Sequence, residues 1–374
     1  MADGSNTPMN RRNILKTAGV AGIASIAGCL GGDDEDNGGP FYPHTIWGMY
    51  GSWEEAYVQG GEYYAEDHGF DFENNNSRGE EEEQISHIQN FAQQDADGIL
   101  VGPVSETAPA NQVEQAVSQD IPVIAANSDI DTPDLTMSVY IGNEPACEEL
   151  GEEIVTYLES DGEAEGTVVN LQGDLGMAIG TEREQGFRNA VDEHDEIEIL
   201  EISADFNREP AQEGLYSVLQ SVDGEVDAIF AANGEMAAGA AGALDTYGME
   251  PGEVFMACMD GSPTVVDLFD SEWLQRAFTQ PTQYYLPIAM HYLEVARTEG
   301  EDALPDVGDE IDTDDLEITG EEHMGVDIWE GQDWAPATVQ EQHDHPWFQT
   351  SGRLLTPDNY DESSNWGVIF GQDD

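Results

Sequence analysis

The sequence predicts an α/β protein with two similar Rossmann-like lobes, in which parallel sheets flanked by helices are joined by a hinge. Three observations predict this class. Short apolar runs recur from Thr45 to Gln280, most neighbouring runs are separated by a segment with apolar residues three or four apart, and the runs form two sets of equal size. Strands that alternate with helices are typical of βαβ units, whose parallel sheets are covered on both faces.

Ten apolar runs predict the strands. In chain order they are 45–50, 70–75, 98–102, 121–127 and 138–142, followed by 166–172, 197–203, 227–233, 253–260 and 274–280. Between them, Ile85, Ile88 and Phe91 mark one helical stripe, and the segment 146–157 carries another. One sheet of ten strands would be very wide, so the two sets favour two lobes.

We infer the lobe boundaries from the place where one predicted strand follows another with no helix between them. The step at 134–144 has no helical pattern and predicts a crossover between lobes. We therefore expect an N-terminal lobe of residues 44–142 plus about 281–345, and a C-terminal lobe of residues 143–280 plus about 346–374. The acidic stretch 300–336 either forms a surface insertion or extends one lobe.

The first 29 residues predict an export signal. Paired Arg11 and Arg12 precede an apolar stretch that is too short and too rich in Gly and Ala to span a membrane, and Cys29 ends it. This order is typical of a twin-arginine signal, and residues 26–29 resemble a lipobox, in which the cysteine is lipidated. The alternative is a disordered terminus with a chance arginine pair. Residues 30–43 predict a flexible acidic tether, so we expect a protein anchored to the outer face of the cell membrane through Cys29.

The charge balance restricts the environment and the partners. The 374 residues contain 10 Lys plus Arg against 79 Asp plus Glu, a formal net charge of −69, yet the hydrophobic content of 39% supports a globular core. At molar salt the Debye length falls to about 3 Å, which makes such a surface tolerable. We interpret the acids, which are spread along the whole chain, as the adaptation of an extreme halophile, archaeon-like in character, rather than as a patch for a cationic partner. Nucleic acid is excluded as a partner, because phosphates need basic residues.

Cysteines and histidines predict no metal site and no cofactor. Cys147 and Cys258 could pair, but their apolar surroundings favour two small buried residues, and no zinc-type spacing exists. His343 and His345 stand beside a proline, where solvent-facing loop residues are the simpler interpretation than metal ligands.

Residues that follow the predicted strands form the candidate ligand site. In open α/β sheets, ligands bind outside the carboxyl ends of the strands, and two facing lobes make a cleft there. Aromatic faces can stack on a sugar ring, while planar polar groups pair with hydroxyls. The candidates are Tyr50, Trp53, Asn127, Asp129, Arg183, Phe206, Asn233, Asp260 and Gln280.

Each candidate also has a structural interpretation. Arg183 could be a surface arginine, although only seven arginines and no lysine follow Cys29. Trp53 and Phe206 could belong to the core, Asn233 and Asp260 could only cap helices, and Gln280 could connect the lobes. The glycines at 173, 176 and 180 could form a phosphate loop, but the motif lacks its lysine and Asp174 would repel phosphate.

Several motifs in one order resemble the ribose/galactose class of periplasmic sugar-binding proteins, the type 1 solute-binding receptors of ABC importers. The matching segments are "IPVIAANSD" (121–129), "NLQGDLGMAIGTEREQGFRNAV" (170–191), "ADFNR" (204–208), "FAANGEMAAGAAGAL" (230–244), "MDGSP" (259–263), "FTQ" (278–280) and "RLLTPDNYDESSNWG" (353–367). The resemblance implies the type 1 periplasmic binding protein fold. The sequence departs from the family pattern at Asn127-Ser128, where many members have Asp-Arg. This departure leaves the identity of the sugar open.

The resemblance also implies roles. Arg183 would bind sugar hydroxyls, Phe206 and Trp53 would sandwich the ring, and Asn233, Asp260 and Gln280 would complete the polar shell. The expected function is a monomeric, non-enzymatic receptor that hands a monosaccharide to ABC permease subunits. The alternatives are the same fold with a nucleoside, polyol or sugar-like signal as ligand, or an anchored glycosidase, which would need two suitably placed carboxylates.

Overall fold

The computed structural model describes residues 38–159 and 162–371, and the strands of these residues form two sheets. The predicted signal at 1–29, including Cys29, lies outside the described residues, as does most of the tether. The strands are β1 His44–Ile46, β2 Asn74–Asn76, β3 Ile99–Val101, β4 Val123–Ala126, β5 Met137–Ile141, β6 Gly166–Gln172, β7 Ile197–Ser203, β8 Ala228–Ala231, β9 Phe255–Met259, β10 Arg276–Thr279, β11 Glu310–Ile311, β12 Ala337–Gln342, β13 His345–Thr350 and β14 Arg353–Leu355.

The helices alternate with these strands as the apolar spacing predicts. They are α1 Ser52–His68, α2 Glu81–Gln93, α3 Ala110–Val117, α4 Asn143–Leu158, α5 Ala178–Val191, α6 Arg208–Ser221, α7 Gly234–Tyr247, α8 Pro263–Asp270, α9 Tyr285–Thr298 and α10 Trp366–Ile369. Two short 3₁₀ helices cover Thr282–Tyr284 and Glu301–Ala303. Every one of the ten predicted runs overlaps a strand, so the alternating pattern is confirmed.

The first lobe is built on a sheet with the order β11-β12-β13-β5-β4-β3-β1-β2. From β13 to β2 the pairs are parallel, whereas β12 pairs antiparallel with both β11 and β13. Both faces are covered, because Leu100 packs in one apolar cluster with α1 while Ile99 and Val101 pack in another with α2 and α3. Burial on both faces explains why these strands are continuous apolar runs.

The second lobe is built on a sheet with the order β14-β10-β9-β8-β6-β7, parallel except for the β14–β10 pair. Helix α4 packs on α5 and on β8–β10, and α6 packs on α7. The chain is therefore two parallel sheets flanked by helices, each with an antiparallel edge, as the predicted fold class requires.

The chain passes between the lobes three times. It leaves the first sheet after β5, because α4 already packs on the second sheet, and it returns after β10, because α9 packs on β3–β5. The third crossing lies between Thr350 and Arg353. The expected return to the C-terminal lobe at about 346 is thus a few residues too early: residues 347–350 pair in parallel with β5 of the first sheet, and only β14 joins the second.

The acidic stretch 300–336 extends the first lobe. Its β11 pairs with β12 at the edge of the first sheet, and Ile318, Ile328 and Trp334 are fully buried. His323 Nε2 lies 3.0 Å from Asp67 Oδ2 on α1, which ties the stretch to that helix. Of the two alternatives, the structure supports the extension of a lobe.

Cys147 and Cys258 are both buried and unpaired, in agreement with their interpretation as small core residues. Among residues 38–159 and 162–371, no helix has the length and apolar character needed to cross a membrane.

Candidate functional site

A cavity of about 500 Å³ lies between the two lobes, at the carboxyl ends of their parallel strands. We call it the cleft. The first lobe contributes Trp47, Tyr50, Gly51, Ser52, Trp53, Glu54, Gly79, Pro103, Val104, Asn127 and Ser128, and the second contributes Asp174, Met177, Ile179, Arg183, Asp205, Phe206, Asn207, Asn233, Glu235, Asp260, Ser262 and Gln280. Eight of the nine predicted ligand residues line this cleft. Its volume lies in the range of small-molecule sites, about 300–1,000 Å³.

Arg183 is held rigidly in the cleft wall rather than displayed on the surface. Its side chain is 4% exposed, its Nε donates to Asn143 Oδ1 at 2.9 Å, and its Nη1 donates to the Ala232 carbonyl at 2.6 Å. Its guanidinium lies 5.7 Å from the centre of the Phe206 ring. In the part of the chain that the structure describes, no hydrogen-bond partner is found for its Nη2, which carries two donor hydrogens.

Asp260 and Gln280 form a connected polar pair beside the arginine. Asp260 Oδ1 accepts from Gln280 Nε2 at 2.6 Å and its Oδ2 accepts from the Gly234 amide at 2.9 Å. The Tyr285 hydroxyl donates to Gln280 Oε1 at 3.2 Å. Burial raises the pKa of Asp260, and the nearby Arg183 guanidinium offsets part of that effect. Both residues line the cleft, and their role in ligand binding stays a prediction.

Asn233 has two roles. Its Oδ1 accepts from the Met236 amide at 2.9 Å, which caps α7, and its Nδ2 donates to the Phe206 carbonyl at 3.1 Å. The capping interpretation is therefore correct, and the same residue also lines the cleft and supports the loop that carries Phe206.

The aromatic residues lie on opposite walls. Phe206 belongs to the second lobe and covers Gly173, where an added Cβ would lie 2.2 Å from the ring, so glycine is required for this close approach. Trp53 belongs to the first lobe and stacks on Tyr57 with ring centres 5.3 Å apart. The buried Trp53 Nε1 lacks a hydrogen-bond partner within the described residues. Phe206 and Trp53 thus line the cleft from opposite lobes, and their sandwiching of a ring stays a prediction.

Four residues of the cleft adopt left-handed backbone conformations. Asn127, Asp205, Phe206 and Asp260 have φ values of 74°, 49°, 64° and 95°. Such conformations are uncommon in residues other than glycine and cost roughly 1–3 kcal/mol each, so they concentrate at sites where side-chain direction matters. Here each follows a strand and turns its side chain toward the cleft.

Tyr50 and Asn127 complete the predicted set on the first lobe. Tyr50 is 69% exposed and marks the mouth of the cleft, whereas Asn127 is buried beside Ser128 deeper in the wall. With Asn127-Ser128 in this place, no charged side chain follows β4 into the cleft.

The prediction that Asp129 is a ligand residue is wrong, because Asp129 does not line the cleft. Its side chain is fully buried and its Oδ1 lies 2.8 Å from Nε2 of His345, at the start of β13. His345 Nδ1 in turn lies 3.0 Å from the Thr132 carbonyl. The interpretation of His345 as a solvent-facing loop residue is also wrong. His345 is buried, because β13 enters the first sheet beside β5. Asp129 therefore holds the loop after β4 in place.

Sequence reasoning missed Trp47, Met177, Glu54 and Glu235 among the cleft residues. Trp47 directly follows β1, and Glu54 and Glu235 lie in the first turns of α1 and α7. The rule that ligand residues follow the carboxyl ends of the strands, which we call the strand-end rule, would have included all three if it had been extended through the first turn of the next helix. Within residues 38–159 and 162–371, no group of three or more His, Cys, Asp or Glu is arranged to hold a metal ion.

Comparisons with known proteins identify the family and the fold. A family model described as a periplasmic binding protein domain matches residues 45–296. A galactofuranose-binding protein of Escherichia coli (strain K12) is 27% identical over 224 residues, which are 58% of this chain and 70% of that protein. A xylitol-binding protein of Mycolicibacterium smegmatis is 26% identical over 236 residues, 63% of this chain and 66% of that protein. The crystal structure of a galactofuranose-binding protein superposes with a TM-score of 0.71 at 20% identity, covering 89% of this chain and 99% of that one, and shares the fold.

Proposed function

The chain belongs to the periplasmic binding protein domain family, and from this membership we propose that it is an extracytoplasmic receptor for a monosaccharide or polyol. The receptor binds its ligand in the cleft and delivers it to ABC permease subunits. The observation that carries the proposal is the position of Arg183 beneath Phe206, opposite Trp53 and beside the Asp260–Gln280 pair. Names of relatives support the ligand class, since two of them bind galactofuranose and xylitol.

The mechanism needs no covalent step. A ligand that contacts both lobes favours their closed arrangement, and it can shift that equilibrium only by its greater affinity for the closed form. Arg183 Nη2 donates to sugar oxygens, while the aromatic faces of Phe206 and Trp53 cover the apolar side of the ring. The permease then distinguishes the closed from the open receptor.

An enzyme is the less favoured alternative. A glycosidase needs two carboxylates free to act at a scissile bond. The carboxylates of the cleft lining are Glu54, Asp174, Asp205, Glu235 and Asp260. Both oxygens of Asp260 already accept hydrogen bonds from Gln280 and the Gly234 amide, which argues against Asp260 as a nucleophile. Glu235 pairs with Arg208, and Asp174 Oδ1 accepts from the Gly176 amide. Release of nitrophenol from nitrophenyl glycosides by the pure protein would contradict the receptor proposal.

Localisation and environment are parts of the same proposal. We place the mature protein, a monomer, on the outer face of the membrane of a halophilic organism, anchored through lipidated Cys29 after twin-arginine export. The sequence carries this part of the proposal, through Arg11, Arg12 and the residues before Cys29. The mass of the N-terminal peptide of the mature protein tests it, since a diacylglycerol-modified cysteine has a distinctive mass.

A neutral sugar or polyol raises the melting temperature of this protein in molar potassium chloride. Ligand that binds only the folded state stabilises it by about 2.7 kcal/mol at a hundredfold excess over the dissociation constant. Differential scanning fluorimetry with D-ribose, D-galactose, D-glucose, L-arabinose, xylitol and myo-inositol measures the shift. Glycine and citrate at equal concentration serve as controls without effect. The absence of a shift with all six probes would count against the proposal.

A further inference from the structure

Asn143 stands where the chain first crosses between the lobes, and it contacts the proposed ligand arginine. It is 1% exposed and begins α4, directly after the residue that follows β5. Its Oδ1 accepts from Arg183 Nε at 2.9 Å, while its Nδ2 donates to Glu182 Oε2 at 2.9 Å and to the Ile141 carbonyl at 3.3 Å. The oxygen and the nitrogen of this side-chain amide are therefore both engaged.

A single orientation of the Asn143 amide fits these partners. The Nε–H group of Arg183 is a donor, whereas a carboxylate and a backbone carbonyl are acceptors. If the amide were turned over, its NH₂ group would face the Nε–H of Arg183 and its oxygen would face the Glu182 carboxylate. Both contacts would be repulsive, so the acceptors on one side of the amide decide that its oxygen is what Arg183 meets.

Glu182 is itself held from the other lobe. It lies directly before Arg183 on α5 and is half-buried, and its Oε1 accepts from the Tyr140 hydroxyl of β5 in the first lobe at 3.4 Å. The ring of Tyr140 stacks on Trp347 with ring centres 4.5 Å apart. Burial raises the pKa of Glu182 to about 7, although the hydrogen bond from Asn143 acts in the opposite direction. The fold thus keeps a carboxyl group where burial disfavours its charge.

We infer that Glu182 and Asn143 are positioning residues for ligand binding: Glu182 orients the Asn143 amide, and this amide holds the Arg183 guanidinium in the orientation that binds the ligand. The inference rests on the proposed function, in which Arg183 binds the sugar. Neither residue lines the cleft, so both act through Arg183 rather than by contact with the ligand. Position 182 must supply a hydrogen-bond acceptor rather than a charge, because a protonated carboxyl or an amide keeps an oxygen for Asn143 Nδ2.

Two substitutions of Glu182 test the inference. Glu182→Met removes both acceptor oxygens from a side chain of similar length, whereas Glu182→Gln keeps one. Isothermal titration calorimetry in molar potassium chloride measures the affinity for D-ribose, D-galactose, D-glucose, L-arabinose, xylitol and myo-inositol. We expect Glu182→Met to bind the tightest of these probes roughly tenfold more weakly, since the hold on Arg183 Nε is lost while its Nη1 keeps the Ala232 carbonyl. We expect Glu182→Gln to restore the affinity to within about twofold of the wild-type value.

Glu184→Met is the matched control. Glu184 lies on the same helix, is half-buried and accepts from Asn170 Nδ2 at 2.7 Å, much as Glu182 accepts from Asn143. Among the described residues, no hydrogen bond joins Glu184 or Asn170 to Arg183. We therefore expect Glu184→Met to lose stability and to keep the wild-type affinity.

A signal from Arg183 itself separates positioning from general stability. Nuclear magnetic resonance of protein with isotope-labelled arginine detects the Nε–H groups, and the Arg183 signal is assigned by its loss in Arg183→Lys. In the ligand-free wild-type protein and in Glu182→Gln, the hydrogen bond to Asn143 slows exchange of this hydrogen with water. We expect exchange to be at least about fivefold faster in Glu182→Met and unchanged in Glu184→Met.

The outcomes separate this inference from the proposed function. If a neutral probe binds and Glu182→Met keeps the wild-type affinity, the inference is overturned while the receptor proposal stands. Weaker binding without faster exchange at Arg183, or weaker binding that Glu182→Gln does not restore, also overturns it. If no neutral probe binds the wild-type protein, the receptor proposal falls and the role in ligand binding falls with it. Should Glu182→Met fail to fold, Glu182→Ala replaces it with the same expected results, because it also lacks an acceptor.

Discussion

We expect replacement of Arg183 by Ala to abolish sugar binding while the two-lobed fold survives. The guanidinium is the single cation of the cleft lining and has an unused donor group at Nη2. Hydrogen bonds to charged groups contribute about 1.5–3 kcal/mol each, so the loss of two such bonds lowers affinity at least a hundredfold. The variant is also less stable, because Asn143 and the Ala232 carbonyl lose their partner and the charge of Asp260 loses its compensation. Calorimetry in molar salt measures the binding, and circular dichroism checks the fold.

Arg188→Ala is the matched control for this experiment. Arg188 lies on the same helix, α5, but pairs with Glu184 at 2.9 Å and with Asp192 at 3.2 Å and does not line the cleft. We expect it to lose some stability and to bind sugar as the wild-type protein does. Arg183→Lys keeps the charge but not the planar fork, so it recovers only part of the affinity. Unchanged affinity in Arg183→Ala would mean that the arginine is purely structural.

We expect transfer of the protein from molar potassium chloride to about 0.1 M salt to unfold it at room temperature. The net charge of −69 is distributed over the whole chain, and the Debye length grows from about 3 Å to about 10 Å over this range. Repulsion between surface carboxylates then extends over several neighbours and opposes a folding stability that is typically only about 5–15 kcal/mol. Circular dichroism across a salt series measures the transition.

A neutral osmolyte distinguishes charge screening from general solvent exclusion. Glycine betaine at the same osmolality stabilises folded proteins by exclusion from their surface but does not screen charge. We expect it to leave the low-salt protein unfolded, whereas potassium chloride restores the fold. A melting temperature that is equal at 0.1 M and at molar salt would contradict the interpretation of the acids as a halophilic adaptation.

The alternating part of the fold could be predicted from the sequence because burial on both faces leaves a strong apolar signal. Ile99, Leu100 and Val101 are all fully buried, so β3 is visible as an uninterrupted apolar run. Strands β11 and β12 at the sheet edge are short or half exposed and carry no such signal. They join the first sheet through β13, which pairs with β5 about 200 positions earlier in the chain. The sequence therefore could not decide whether residues 300–336 form a surface insertion or extend a lobe.

The candidate site was predictable to the extent that the strand-end rule applies. It places Arg183, Phe206 and Asp260 correctly because parallel strands deliver their carboxyl ends to one edge. The rule fails for Asp129, whose partner His345 lies 216 positions away and reaches it only because β13 returns to the first sheet. No local sequence pattern predicts the contact between Asp129 and His345. Sequence separation, rather than an unusual local conformation, explains the error.

Identification of the molecule that copurifies with the protein tests the central claim most directly. The wild-type protein and Arg183→Ala are purified side by side in molar salt, denatured, and their released small molecules are measured by mass spectrometry. We predict a neutral monosaccharide or polyol in stoichiometric amount from the wild-type protein and none from the variant. A peptide, an amino acid or a nucleotide released in that amount, or the same sugar from both proteins, would contradict the account.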